Sequence, residues 1–198
     1  MSQYFDNDES IPSHPHIITY TFFDTTFRLK TDAGVFSKKQ LDEGTSAFLK
    51  VLLPLHLGER ILDLGCGYGA LGLTLAYFAP DSVFVVADIN LRALRLTREN
   101  VASLGLKNVT VVESDIYQNI QGVFDTIVIN PPIRAGKKVI YAMFEGAYDH
   151  LCDNGSLYIV IRKDQGAPSA QKFLSGIFAQ VELLKRDKGY YIYRATKK

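Results

Sequence analysis

Arg60-Ile61-Leu62-Asp63-Leu64-Gly65-Cys66-Gly67-Tyr68-Gly69-Ala70-Leu71-Gly72 passes directly from an apolar, strand-like run through a glycine-rich loop into helical periodicity. Gly67, Gly69 and Gly72 satisfy G-x-G-x-x-G, a strand-to-helix turn in which small residues let a ligand approach the backbone. Asp88 closes the next strand-like run, Val83-Phe84-Val85-Val86-Ala87. An acid there is placed to bond a ribose. By itself the pattern fits a dinucleotide site as well as any other nucleoside site.

Outward from this loop the chain alternates. Strand-like segments fall at 60–64, 82–87, 108–113, 124–129, 155–161, 180–186 and 190–195, and helical patterns fill 69–79, 91–104, 137–151 and 168–178. Such alternation predicts a parallel sheet with helices on both faces. The last two strands, linked by Asp187-Lys188-Gly189, read as an antiparallel hairpin. Upstream, Ile17–Phe23 and Thr26–Thr31 are rich in β-branched and aromatic residues, and the short Asp24-Thr25 link predicts a hairpin lacking the usual turn glycine. Ser37 is placed to cap a helix from about Lys38 to Leu55. The expected fold is α/β and doubly wound. Its seven-stranded, mostly parallel, Rossmann-like sheet ends in an antiparallel hairpin and carries a small N-terminal β-hairpin. Residues 1–55 form an arm, hairpin and leading helix packed on the core, and 56–198 form the ligand-binding domain.

Three acids mark three strand ends. Asp63 at the tip of the first core strand would repel a diphosphate but favours a cationic ligand, and S-adenosylmethionine brings a sulfonium and an ammonium. Asp88 and Asp115 follow at the next two strand ends. Single acids of this kind are often turn formers or helix caps, but three in order suit a nucleoside cation lying across the sheet edge.

Asn130-Pro131-Pro132-Ile133 follows the strand-like Phe124–Ile129. Two consecutive prolines remove two backbone donors and fix two φ angles. Asn130, preceding a proline, is pushed to an extended conformation. Its side-chain amide and the Asn130 and Pro131 carbonyls stand ready to accept from a planar amino group.

Composition bounds the setting. The 198 residues suit one domain, and 47% hydrophobic content supplies a core. Lys+Arg of 22 against Asp+Glu of 21 leaves bulk charge uninformative about nucleic acid, because local clustering decides that. The two cysteines, Cys66 and Cys152, have no metal-ligand spacing, so no metal is expected. No run approaches the ~18 apolar residues of a membrane span. The N-terminus does not read as a signal peptide, and the expectation is a soluble, cytoplasmic protein without membrane association.

With these motifs in register, residues 58–195 resemble the class I S-adenosylmethionine-dependent methyltransferases. Within that class, Asn-Pro-Pro followed by an aromatic or apolar residue marks amino-group methyltransferases. Gly34-Val35-Phe36-Ser37 followed by Asp42-Glu43-Gly44-Thr45 is similar to the small-subunit ribosomal RNA guanine-N2 methyltransferases, as is Lys188-Gly189-Tyr190-Tyr191-Ile192-Tyr193-Arg194-Ala195. This chain departs from the family in having about 55 residues ahead of the core, where longer members carry a further domain, and in having Ile133-Arg134 where Phe-His is common.

The resemblance implies S-adenosyl-L-methionine as methyl donor. Asp63, Gly65, Cys66 and Gly67 would line its methionine end, with Gly44 and Thr45 closing over the carboxylate. Asp88 would bond the ribose, Ile89 pack on the adenine, and Asp115 with Ile116 hold its edge. Asn130 and Pro131, with Pro132 and Ile133, would form the catalytic turn. Phe36 is a stacking candidate. Arg134, Lys137 and Arg162 gather with other cations at the strand-end rim, where phosphates of RNA, ribosomal RNA or a ribosomal subunit, would be held. Adenine N6, a protein glutamine amide and a non-catalytic RNA-binding role remain alternatives, and oligomeric state is open.

Overall fold

The computed structural model describes residues 12–32, 35 and 40–198, with the backbone but not the side chain of Ile133. A two-stranded hairpin, β1 (His16–Phe22) and β2 (Thr25–Thr31), precedes helix α1 (Glu43–Leu52). The core follows as β3 (Arg60–Leu64), α2 (Ala70–Phe78), β4 (Val83–Asp88), α3 (Leu91–Leu104), β5 (Val109–Glu113) and β6 (Phe124–Ile129). After a short 3-10 turn come α4 (Lys137–His150), β7 (Leu151–Arg162), α5 (Ala167–Ser175), β8 (Gln180–Asp187) and β9 (Tyr190–Thr196).

The seven-stranded sheet runs β5-β4-β3-β6-β7-β9-β8. The first five of these strands are parallel, and β9 is antiparallel to both β7 and β8. The expected doubly wound sheet with its terminal hairpin is therefore present, as is the separate N-terminal hairpin. Strand alternation sends successive side chains to opposite faces. Leu62, Leu64, Ile127, Ile129 and Ile159 pack under α4 and α5. Ile61, Val128, Tyr158 and Val160 meet α1 and α2 on the other face. Helix α1 thus belongs to the main core through Phe48, Leu49 and Leu52, each fully buried.

Two boundaries differ from expectation. Helix α1 starts at Glu43, not near Lys38, because Asp42 is its cap: its carboxylate accepts from the Gly44 and Thr45 N–H groups. Ser37 lies outside the described residues. Strand β7 starts at Leu151, not 155, and absorbs Asn154 (φ +63) through an irregular register opposite Phe124–Thr126. Asp153-Asn154-Gly155 forms an irregularity within the strand.

Asn100 is a polar anchor of the N-terminal hairpin, beside the Tyr20 hydroxyl on Thr74 Oγ1 (2.7 Å) and the Lys30–Glu99 ion pair. Asn100 of α3, buried, accepts from Lys30 N–H (2.8 Å) and donates to Lys30 O (3.0 Å) and Tyr68 O (2.9 Å). It occupies both backbone groups of a β2 residue and a carbonyl of the glycine-rich loop. Around it Ile18 and Leu29 pack on Tyr68, Ala70, Ala93 and Leu96.

Candidate active site

Parallel strands β3, β4, β5 and β6 all end at one edge of the sheet, and the loops leaving them form a cleft. A cavity of about 340 Å³ is lined by Asp42, Thr45, Asp63, Gly65, Gly67 and Asn130, among others, and a smaller recess shares part of its lining. The recess is lined by Asp88, Ile89, Ser114, Asp115, Ile116 and Met143, and shares Gly65 and Pro132 with the cavity. The pair suits an elongated ligand with one flat end and one polar end.

The glycine-rich loop is held from below. Gly65 N–H and Cys66 N–H both donate to Ala87 O, at 2.8 and 2.9 Å. Asp88 accepts from Gly67 N–H (2.8 Å) and from Asn90 N–H (2.9 Å), one on each oxygen. Asp88 also lines the recess, where a carboxylate is an acceptor type suited to a ligand hydroxyl. Gly67 has φ +57, and a Cβ there would meet no atom of the described residues beyond its chain neighbours within 4 Å. Its left-handed backbone demands glycine, and the open space beside it is available to a ligand.

Asp63 serves as a remote cap. Gly69, which precedes α2, offers no side-chain cap. The Asp63 Oδ2 from β3 instead accepts from Gly72 N–H at 2.8 Å, in the first turn of α2. Burial pushes the Asp63 carboxyl up to about 7; the Gly72 N–H opposes that rise and the nearby Asp88 adds to it. A buried acid so poised gains from a cation laid against it. The Cys66 thiol is pushed well up by burial and by Asp88 and Asp63, which keeps it neutral.

Asn130 leaves the end of β6 with its amide clamped. Its Nδ2 donates to Asp42 Oδ2 (3.2 Å) and to Thr45 Oγ1 (3.0 Å). Both donors are spent on α1, and no hydrogen bond from the described residues reaches Asn130 Oδ1. The cavity therefore meets an acceptor. Pro132 O accepts from Ala135 N–H (2.8 Å), whereas the Asn130 and Pro131 carbonyls enter none of the turn bonds among the described residues. Tyr190 of β9 flanks the cleft beside Gly44, with the Arg162 guanidinium 5.6 Å from its ring centroid.

At the opposite end Ile116 adopts φ +52. A β-branched residue in that region is strained. The turn is held by Ser114 Oγ, which donates to Ile116 O (2.9 Å) and accepts from Asn119 N–H (3.0 Å).

The cleft brings together most of the residues expected from sequence. Thr45, Asp63, Gly65, Cys66, Gly67, Asn130, Pro131, Pro132, Arg134 and Arg162 line the main cavity. Asp88, Ile89, Asp115 and Ile116 line the recess. Gly44 sits behind the wall, where a Cβ would come within 2.8 Å of Tyr190 Cε1. Lys137 stands outside both, its ammonium 5.1 Å from the Tyr141 ring centroid. Phe36 and the Ile133 side chain lie outside what is described. Asp42, Tyr190 and Gln165 also line the cavity and were not expected there. The Asp42–Thr45 spacing, that of an N-cap and its N3 residue, is the signal that points to the first.

The residues fit S-adenosylmethionine. The buried acid Asp63 stands at the polar end, a glycine wall lacks side chains, and a recess bounded by Ile89 and Ile116 meets Asp88 and Asp115. Comparison with known proteins agrees. The model of the methyltransferase small domain matches residues 26–194. The chain is 40% identical over 196 residues to the uncharacterized protein YbxB of Bacillus subtilis (strain 168), covering 98% of each. It is 32% identical over 195 residues to ribosomal RNA small subunit methyltransferase C of Erwinia tasmaniensis, covering 94% of this chain and 56% of that one. The T. thermophilus 16S rRNA N2 methyltransferase RsmC, solved in complex with AdoMet and guanosine, superposes with a TM-score of 0.84 at 25% identity, over 94% of this chain and 52% of that one. The chain thus spans about half the length of these rRNA methyltransferases.

Proposed function

Since the chain belongs to the methyltransferase small domain family, we propose that it methylates the exocyclic N2 amine of a guanine in small-subunit ribosomal RNA. It is an S-adenosylmethionine-dependent methyltransferase related to the small-subunit rRNA enzymes. The observation that carries the amine assignment is the Asn130 amide, whose NH2 is spent on Asp42 and Thr45 so that its oxygen is left for the substrate. Guanine is favoured by the likeness to the enzyme solved with guanosine.

When bound, the cofactor supplies an electrophilic methyl on a sulfonium. The protein's own contribution is orientation. An aryl amine's lone pair is delocalised into its ring, and acceptors on its hydrogens draw the nitrogen towards a tetrahedral form. Asn130 Oδ1 and the Pro131 carbonyl are the acceptors in this reading. Holding the nitrogen near attack distance removes much of the entropic barrier. No general base is required, because the methylated ammonium sheds its proton to solvent. Residues 56–198 form the catalytic unit in this reading, and the leading segment 1–55 completes it by supplying Asp42 and Thr45. Arg134 and Arg162 at the mouth take RNA phosphates, and the base enters unpaired.

The test is transfer of labelled methyl to naked rRNA, assembled small subunits, tRNA and total protein, followed by nucleoside and amino-acid analysis. N2-methylguanosine from the first two substrates is the expected product. N6-methyladenosine or methylglutamine would replace the guanine assignment, and no transfer to any of them would remove the proposal.

A further inference from the structure

We propose that Asp42 is the positioning residue that determines which end of the Asn130 amide meets the substrate. This rests on the reading of Asn130 as the amine acceptor. The two residues lie 88 positions apart in sequence. Asp42 Oδ2 accepts from Thr45 N–H (2.7 Å), from the Thr45 hydroxyl and from Asn130 Nδ2 (3.2 Å). Thr45 has then committed its only hydroxyl proton to Asp42, so its oxygen is an obligate acceptor, and it takes the second Asn130 N–H at 3.0 Å.

An asparagine amide is nearly symmetric in shape but not in hydrogen bonding. Turned over, Asn130 would aim its carbonyl at a carboxylate oxygen and at a hydroxyl whose proton is already used. Two favourable contacts would become two acceptor–acceptor contacts. Asp42 enforces the orientation twice, once directly and once by orienting the Thr45 hydroxyl. Without it, that hydroxyl is free to rotate and donate to the amide oxygen, and the flipped form becomes competitive. The flipped form would present N–H groups to an incoming amine, which is a mismatch. Asp42 thereby sets the site's selectivity for a donor over a carbonyl or ring nitrogen.

Asp42 also caps α1, with Oδ1 accepting from Gly44 N–H (3.1 Å). The test separates the two roles. Serine is as good an N-cap as aspartate but supplies a single, shorter acceptor. In Asp42→Ser, affinity for S-adenosylmethionine by calorimetry stays within about threefold of wild type. Turnover on rRNA falls by about tenfold or more with little change in RNA KM, as expected on losing a preorganised polar contact. The Asn130 side-chain NH2 resonances, assigned by their disappearance in Asn130→Ala, move towards those of a solvent-exposed amide. Unchanged resonances, unchanged turnover, or loss of cofactor affinity in proportion to turnover each overturns the assignment. Should Asp42→Ser not fold, Thr45→Val is expected to lower turnover and shift the same resonances, with Thr45→Ser recovering most of both. Equal behaviour of those two variants also overturns it. Wild-type protein inactive on rRNA would remove the RNA reading alone, since the amide resonances still decide the clamp.

Discussion

Asn130 and Asp63 do different work with similar means, each having its polar atoms partly committed to the fold before a ligand arrives. Asn130→Ala is expected to retain cofactor binding and to lose on the order of a hundredfold or more in turnover, the scale of removing one preorganised contact; calorimetry beside single-turnover assays checks it. For Asp63 the sign follows from its raised value of about 7. A carboxyl raised above its unfolded value of about 3.9 favours the folded state fully below that value, and the benefit is lost as pH rises through about 7. A cationic ligand prefers the ionised form, so its affinity should move oppositely. Cofactor binding is expected to tighten from pH 6 to 8 with proton release, measured by calorimetry in buffers of different ionisation enthalpy. In Asp63→Asn that pH dependence should vanish and affinity at pH 8 should drop. Both residues were legible in sequence because each sits in a local motif next to a strand end. Asp42 was not assigned to the site, because its partner Asn130 reaches it only through the tertiary fold.

Helices α1 and α2 show how a short segment is pinned by its first turn. In α2, Gly72 occupies a helical position where alanine is ordinarily better by about 1 kcal/mol. A Cβ there would lie 2.7 Å from both Asp63 Oδ2 and Val86 Cγ1. Gly72→Ala is therefore expected to destabilise by about 1–3 kcal/mol, the usual cost of overpacking, and to weaken cofactor binding by displacing Asp63. Chemical denaturation with calorimetry measures both, and a stabilised variant would refute the packing account. For α1 the expected cap is Ser37 and the observed one is Asp42, an equally good capping residue type. Local capping chemistry does not choose between them. The choice of Asp42 coincides with its bond to Asn130, a contact that local sequence does not contain.

At the level of the molecule, the order of β/α elements was readable because buried parallel strands and amphipathic helices have different periods. The position of β9 between β7 and β8 was not, since a hairpin signal says that two strands pair but not which of them joins the sheet. That placement brings Tyr190 to the cleft. No helix among the described residues is long and apolar enough to cross a membrane. Asn100 supplies part of the N-terminal hairpin's polar anchorage, together with the Tyr20–Thr74 bond. Asn100→Ala should cost about 1–3 kcal/mol, because buried groups at Lys30 and Tyr68 lose their partners. Thermal or denaturant unfolding reads that loss.

Asn100 also makes the hairpin and the glycine-rich loop thermodynamically reciprocal. Its amide spans Lys30 in β2 and Tyr68 in the loop, so a ligand that stiffens the loop also lowers the frequency with which β2 opens. Saturating S-adenosylmethionine should slow deuterium uptake at Lys30, on the hairpin rather than in the cleft, and Asn100→Ala should erase that protection. By the same linkage, whatever grips the hairpin from outside would raise the protein's affinity for its methyl donor.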